Sequence, residues 1–263
     1  MYSFEIKKAD SVAAAAALLG ETNGKVLAGG QSLVASLKLR LSQPGTLVDL
    51  SGVAELRGIC RDGDNIVIGA MTRHAEVASS KEVQSTIPAL AALAEGVGDR
   101  QIRNMGTLGG SIANNDPAAD YPAGVLALNA TVHTNKRKIA ADDFFKGLYE
   151  TALQEGEIIT SVSFPIPGKA AYVKFAQPAS RFALVGVCVA QTAGGVRVAV
   201  TGAGPCVFRA KALEDALAKS FTADAAKAVK IAAAGLNNDI HGSADYRAHL
   251  VSVLASRAVA AAG

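Results

Sequence analysis

The first 55 residues alternate between short apolar runs and helical patterns, and this alternation limits the folds open to the chain. The runs "FEI" (4–6), "KVLAGG" (25–30) and "TLVDLSGV" (46–53) predict strands. Between them, "SVAAAAALLG" and "QSLVASLKLRL" have the apolar spacing of helices, and Gly20 is expected to end the first. A strand–helix–strand–helix–strand order favours a small parallel sheet.

The rest of the chain changes character twice. From about Leu56, a hairpin around Asp62–Asn65 precedes two helices separated at Pro88, the long loop Gly106–Gly124, a second hairpin and the strand "EIITSVSFPIP". Beyond residue 170, alternating strands joined by a Gly-Gly turn precede Ala-rich helical sequence.

This order of elements predicts the fold class α+β with two domains. Residues 1–170 form the first domain, with a βαβ subdomain over about 1–55 and a larger α+β subdomain over 56–170. Residues 171–263 form a C-terminal domain of antiparallel strands and helices.

Charge and hydropathy exclude several classes of function. The 26 basic and 23 acidic residues give a net charge of +3, and the basic residues are scattered, which argues against nucleic acid or an anionic membrane as partner. Charges occupy the N-terminus where a signal sequence would be apolar, and "VAAAAALL" is too short to span a bilayer. We therefore expect a cytoplasmic protein.

The cysteines and histidines are too dispersed for a metal site. Cys60, Cys188 and Cys206 form no CxxC pair, so neither an iron–sulfur cluster nor a structural zinc has a ligand set in this chain. The four histidines are also isolated, and each is expected on the surface or at a helix cap: His74, His133, His241 and His249. Redox chemistry would require an organic cofactor or a partner chain.

A first glycine motif, "VLAGGQSL" (Val26–Leu33), joins a predicted strand to a predicted helix. Glycines let a ligand approach the backbone, and the start of a helix presents unpaired N–H groups, an arrangement suited to a diphosphate. The motif is neither GxGxxG nor a Walker loop, and a simple tight turn explains it as well.

A second glycine motif opens the segment Gly106–Gly124, "GTLGGSIANNDPAADYPAG". It combines glycines with short polar side chains that cap helices, stabilise Asx turns or hydrogen-bond a ribose or ring edge: Thr107, Gly109, Gly110, Ser111, Asn114, Asn115, Asp116 and Asp120. Two separated glycine turns together could clamp a long ligand with two phosphates.

These motifs resemble the FAD-binding medium subunits of the molybdenum hydroxylases, which include xanthine dehydrogenase and aerobic carbon monoxide dehydrogenase. "AGGQSL" resembles the family's first glycine motif, and "VGDRQIRNMGTLGGSIANNDPAADYPA" (97–123) resembles its second. "EIITSVSFP" and "YVKFAQPASRFALVGV" follow in the expected order, so the resemblance covers essentially the whole chain.

The resemblance implies a cofactor role for particular residues. The FAD diphosphate would lie against the backbone of Val26, Leu27, Ala28, Gly29, Gly30, Gln31, Ser32 and Leu33, with Gln31 a neutral donor where other members can carry histidine. A second phosphate clamp would comprise Thr107, Gly109, Gly110 and Ser111, with Asn114 and Asp116 following.

Further residues would surround the adenosine or the ring. Val97 and Gly98 would lie beside them, Asp120 would hydrogen-bond the cofactor, and Ile158 or Ile159 would pack on it. Lys174 would lie near the pyrimidine edge of the flavin, where a cation stabilises the reduced anionic ring; without the resemblance it is a plain exposed strand lysine. Phe182 would be an aromatic close to the flavin, without the hydroxyl of tyrosine found in some relatives.

The function implied is electron transfer. In the family, a large subunit hydroxylates substrate at a molybdopterin cofactor, a small subunit carries two [2Fe–2S] clusters, and FAD passes the electrons to NAD+, a quinone or oxygen. The assembly implied is a dimer of heterotrimers, and no acid, base or nucleophile is needed. Two alternatives are a self-contained FAD-dependent reductase or oxidase resembling the peptidoglycan-precursor reductases, and a scaffold subunit that has lost flavin.

Overall fold

The N-terminal residues form a small parallel sheet, as the alternation predicts. A computed structural model describes residues 1–262 of the chain. The first elements are β1 (Glu5–Lys8), α1 (Val12–Thr22), β2 (Lys25–Leu27), α2 (Leu33–Lys38) and β3 (Thr46–Asp49). The strand order is β1-β3-β2, and both pairs are parallel.

Both helices end at other residues than predicted. α1 continues through Gly20 to Thr22 and stops where Asn23 adopts a left-handed φ of 47°. α2 stops at Lys38, and Arg40 has a φ of 60°. Left-handed backbone does not continue a right-handed helix, so the apolar residues beyond Lys38 lie on the surface.

A second, antiparallel sheet organises the middle of the chain. Its strands are β4 (Ile59–Asp62), β5 (Asn65–Gly69), β6 (Thr131–Thr134), β7 (Lys138–Ala140) and β10 (Ile159–Pro165). They are arranged β4-β5-β10-β6-β7. The short helix α9 (Ala141–Phe144) and the hairpin of β8 (Phe145–Gly147) and β9 (Glu150–Thr151) precede β10.

Six short helices separate β5 from β6, and five of them pack with this sheet around one core. They are α3 (His74–Ser79), α4 (Lys81–Thr86), α5 (Pro88–Glu95), α6 (Arg100–Met105), α7 (Leu108–Asn114) and α8 (Tyr121–Ala127). The prediction of two helices broken at Pro88 missed a further break at Ser80, whose hydroxyl accepts the N–H of Val83 and begins α4.

The prediction of a long loop over Gly106–Gly124 is wrong. Most of this segment is helical: it contains α7 and the start of α8, and only Asn115–Asp120 connects them. Thr107 is the N-cap of α7 because its hydroxyl accepts the N–H of Gly110 at 3.2 Å. The prediction took Gly109 and Gly110 as loop residues, whereas both lie inside α7.

The C-terminal residues form an antiparallel sheet covered by helices. The strands, in spatial order, are β11 (Lys169–Ala176), β12 (Ala183–Thr192), β13 (Gly195–Thr201) and β14 (Phe208–Arg209). The helices are α10 (Lys211–Lys219), α11 (Ala223–Ala228) and α12 (Ala244–Ala261). Between residues 1 and 262, no helix is both long and apolar enough to cross a membrane.

Strand β12 faces two cores at once. Val187 and Val189 pack with the C-terminal helices, whereas the alternate residues Cys188 and Ala190 pack into the core of the middle sheet. The C-terminal sheet is thus buried on both faces. Hydrophobic packing therefore continues across the domain boundary predicted near residue 170.

Candidate functional site

The first glycine motif forms a turn with free backbone donors. It runs from the end of β2 to the start of α2, and Gly30 adopts a φ of +73°, a conformation that favours glycine. In the described chain, the N–H groups of Gly29, Gly30, Gln31 and Ser32 donate to no protein acceptor. Four unpaired N–H groups on one turn suit an anionic ligand.

The two glycine motifs are in contact. A Cβ atom added at Gly29 would lie 2.1 Å from the carbonyl oxygen of Met105 and 2.7 Å from the Cα of Gly106. A Cβ atom added at Gly110 would lie 3.4 Å from the Cβ of Ala28. Only glycine allows this approach at Gly29, so the fold brings together segments that are about 75 residues apart in sequence.

The second motif offers fewer free donors than a second phosphate clamp requires. The N–H of Gly109 donates to the carbonyl of Ala70, that of Gly110 to the hydroxyl of Thr107, and that of Ser111 to the carbonyl of Thr107. Gly109 is needed for packing, since its added Cβ would lie 2.6 Å from the Cβ of Ala70. The motif therefore contributes shape at Gly110 and the hydroxyl of Ser111, which has no partner in the described residues.

The polar residues at and just beyond the end of α7 divide between turn formation and free side chains. Asn115 is fully buried with a φ of 43°, and its Nδ2 donates to the carbonyls of Gly147 and Glu150 at 2.8 Å. Asp116 accepts the N–H of Ala118 at 2.9 Å in an Asx turn. Both residues shape the chain, whereas the half-buried Asn114 side chain makes no hydrogen bond among the described residues.

Lys174 and Asp120 form a buried ion pair. The Nζ of Lys174 lies 3.0 Å from Asp120 Oδ1, and it also donates to the carbonyls of Gly96 at 2.8 Å and Arg181 at 2.9 Å. The lysine side chain is 12% exposed, so the exposed-strand interpretation is wrong. Burial raises the pKa of the Asp120 carboxyl, while the Lys174 ammonium and the hydroxyl of Tyr172 oppose that rise.

The turn at Val97 and Gly98 is held by cationic side chains. Gly98 has a φ of +50°, and its carbonyl accepts from Arg181 at 3.3 Å. Arg103 of α6 donates to the carbonyl of Val97 at 3.1 Å. Together with Lys174 on Gly96, three cations from three segments converge on successive carbonyls. Sequence reasoning missed Arg103 and Arg181, because nothing in their local pattern indicates this convergence.

The remaining predicted residues fall into separate places. Ile158 is buried in the N-terminal core with Val26 and Ala28, beside the first glycine turn, whereas Ile159 belongs to the core of the middle sheet. Phe182 is 46% exposed and follows Arg181, at the Lys174 end of the site. The candidate site thus has two ends, the first glycine turn and Lys174, and the segment from Gly106 to Asp120 connects them.

His74 is buried, contrary to the prediction of a surface or cap residue. It is 4% exposed at the start of α3, and its backbone N–H donates to the carbonyl of Gly106 at 3.0 Å. The centroid of its ring lies 5.2 Å from that of the Tyr121 ring. Burial, with the Arg103 charge adding to it, lowers the pKa of His74 to about 4. A neutral imidazole therefore packs against Gly106 at the start of the second glycine motif.

We expect His74 to make the fold sensitive to acid. Between pH 6.5, the ordinary pKa of histidine, and about pH 4, the unfolded chain binds a proton at His74 that the folded chain does not. The free energy of unfolding therefore decreases by about 3 kcal/mol as the pH is lowered through this range. Replacing His74→Gln should remove this contribution, measured as urea unfolding free energy at pH 7 and pH 4.5. The exposed His241→Gln is the control and should keep the wild-type profile; an unchanged profile in His74→Gln would contradict the assignment.

Comparisons with known proteins agree with the geometry. Residues 2–167 match the family described as "FAD binding domain in molybdopterin dehydrogenase". The chain is 36% identical to the carbon monoxide dehydrogenase medium chain of Hydrogenophaga pseudoflava, over 98% of this chain and 96% of that one. It is 37% identical to the nicotine 6-hydroxylase medium subunit of Paenarthrobacter nicotinovorans, over 92% and 91%.

A solved structure shares the fold over nearly the whole chain. The carbon monoxide dehydrogenase from Hydrogenophaga pseudoflava that lacks the Mo-pyranopterin moiety of its cofactor superposes with a TM-score of 0.90 at 37% identity, covering 99% of this chain and 97% of the other. The resemblance inferred from the glycine motifs is confirmed, and the chain belongs to the family of FAD-binding subunits of the molybdopterin dehydrogenases.

Proposed function

We propose that this chain uses bound FAD to take electrons from the [2Fe–2S] clusters of a small partner subunit and to pass them to NAD+, a quinone or oxygen. The observation that carries the proposal is the pair of touching glycine motifs, one with four unpaired N–H groups, at one end of a site whose other end presents a buried ammonium. FAD combines a diphosphate with a ring that becomes anionic on reduction, and the two ends suit these two parts.

The diphosphate would lie on the first turn. The N–H groups from Gly29 to Ser32 would donate to its oxygens, and the hydroxyl of Ser111 would add a donor from the second motif. Gly110 leaves room for this approach beside Ala28. The second motif would therefore contribute mainly to the shape of the diphosphate site, and it would supply few hydrogen-bond donors.

The flavin ring would lie toward Lys174. The ammonium would lie near its pyrimidine edge, Val97 and Gly98 would border it, Ile158 would pack on the cofactor, and Phe182 would lie close to the ring. When bound, FAD accepts electrons one at a time and gives them up in pairs, which suits a junction between clusters and a two-electron acceptor. The chain itself supplies binding, orientation and the potential of the ring.

The partners follow from the relatives. The carbon monoxide dehydrogenase and nicotine 6-hydroxylase relatives are named as a medium chain and a medium subunit, which indicates larger and smaller companions. We extend this to a large molybdopterin-binding subunit and a small [2Fe–2S] subunit for this chain, assembled as a cytoplasmic dimer of heterotrimers. The division into domains of residues 1–170 and 171–263 belongs to the same proposal.

The order of electron arrival tests the proposed function. We expect that, when the purified complex is mixed with its reducing substrate, the cluster absorption bleaches before the flavin absorption falls. Removing the small subunit should leave the bound flavin oxidised. Full flavin reduction by substrate without the clusters would contradict electron transfer between subunits and favour a self-contained FAD-dependent reductase.

A further inference from the structure

Tyr172 occupies a slot in the C-terminal sheet beside the ion pair. It lies on β11, two residues before Lys174, so both side chains project from the same face of the strand. The hydroxyl of Tyr172 donates to Asp120 Oδ1 at 2.5 Å. Asp120 is 5% exposed, and in the structure its side-chain partners are Tyr172 and Lys174.

The slot exists because residue 186 is a glycine. Gly186 lies on β12 directly opposite Lys174, and the phenol of Tyr172 crosses over it. A Cβ atom at position 186 would lie 2.3 Å from the hydroxyl oxygen of Tyr172 and 2.9 Å from Thr201 Cγ2. The φ of Gly186 is not in the left-handed region, so the glycine provides space rather than an unusual backbone conformation.

We infer that Tyr172, seated over Gly186, is a positioning residue that fixes Asp120 and, through Asp120, the Lys174 ammonium at the flavin end of the site. The carboxylate accepts the hydrogen bond of the phenol at Oδ1, and the ammonium lies 3.0 Å from Oδ1 and 3.1 Å from Oδ2. Without the phenol, Asp120 can rotate, and the ammonium then keeps only the carbonyls of Gly96 and Arg181 as fixed partners. The inference rests on the proposed function only in placing flavin near Lys174.

The slot itself is tested on the full chain without flavin. Gly186→Ala should lower the unfolding temperature strongly when residue 172 is Tyr, because the new methyl group meets the hydroxyl. Gly186→Ala should lower the unfolding temperature less in a Tyr172→Phe background, because the hydroxyl oxygen is absent there. Equal losses in the two backgrounds would overturn the slot.

The positioning role is tested by the midpoint potential of the flavin in the assembled complex. Tyr172→Phe should shift the potential in the same direction as Lys174→Met and by less, and the double variant should match Lys174→Met alone, since Tyr172 acts through Lys174. Tyr246→Phe, at a half-exposed tyrosine on α12, is the matched control and should leave the potential unchanged.

Two results would overturn the role of Tyr172. One is a wild-type potential in Tyr172→Phe while Lys174→Met shifts it; the other is a double variant whose shift equals the sum of the single shifts. A correctly assembled wild-type complex without FAD would refute the proposed function and the role toward flavin together, and the unfolding comparison at position 186 would still report on the slot.

Discussion

Replacing Gly29→Ala is expected to release FAD and to lower the unfolding temperature. The added methyl group would lie 2.1 Å from the Met105 carbonyl, a backbone atom that cannot rotate away. The two glycine motifs must then separate, at a cost of about 1–3 kcal/mol or more, and the N–H groups move out of register with the diphosphate. Flavin retained through gel filtration of the complex, together with the unfolding temperature, measures both effects.

Gly20→Ala is the matched control for this substitution. Gly20 lies inside α1, and nothing would come within 4 Å of an added Cβ. Alanine is a better helix former there by about 0.5–1 kcal/mol, so this variant should keep its FAD and unfold at a slightly higher temperature. If Gly29→Ala behaved like Gly20→Ala, the contact between the glycine motifs would not be needed for cofactor binding.

Lys174→Met should affect both stability and the flavin. Asp120 would remain buried without its counter-ion, and breaking such a pair costs about 3–5 kcal/mol. Losing the ammonium's lowering effect raises the pKa of the Asp120 carboxyl further, so the destabilisation should shrink as pH falls and the carboxyl takes up a proton. The flavin potential should fall and flavin reduction should slow, because the anionic reduced ring loses a nearby cation.

Lys169→Met provides the comparison on the same strand. Lys169 is exposed at the start of β11, so its replacement should change the unfolding free energy by no more than about 0.5 kcal/mol and leave the potential unchanged. Urea unfolding across pH and redox titration of the bound flavin distinguish the two variants. A wild-type potential in Lys174→Met would show that the ammonium serves the fold alone.

Local patterns in the sequence predicted the parts of the fold that local physics decides. The alternation before residue 55 predicted the parallel sheet, because periodicity of apolar residues determines which faces are buried. The Gly194-Gly195 turn likewise predicted the hairpin of β12 and β13. The first glycine motif was predicted as a turn between a strand and a helix and forms one with free N–H groups, whereas the glycines of the second motif lie inside a helix.

Long-range contacts explain what the sequence could not predict. Gly109 was predicted to be a loop residue because its need for small size comes from Ala70, which lies far away in the chain. Likewise the Lys174 ammonium is held by distant partners, Asp120 and Gly96, which lie 54 and 78 residues earlier. His74 read as a surface residue because its burial depends on a distant segment around Gly106.

The flavin content of the assembled wild-type complex shows whether this chain carries FAD. The cofactor is released by denaturation, separated by chromatography and quantified against the amount of this chain. We expect one FAD for each copy of the chain. A correctly assembled complex that contains no FAD would contradict this expectation.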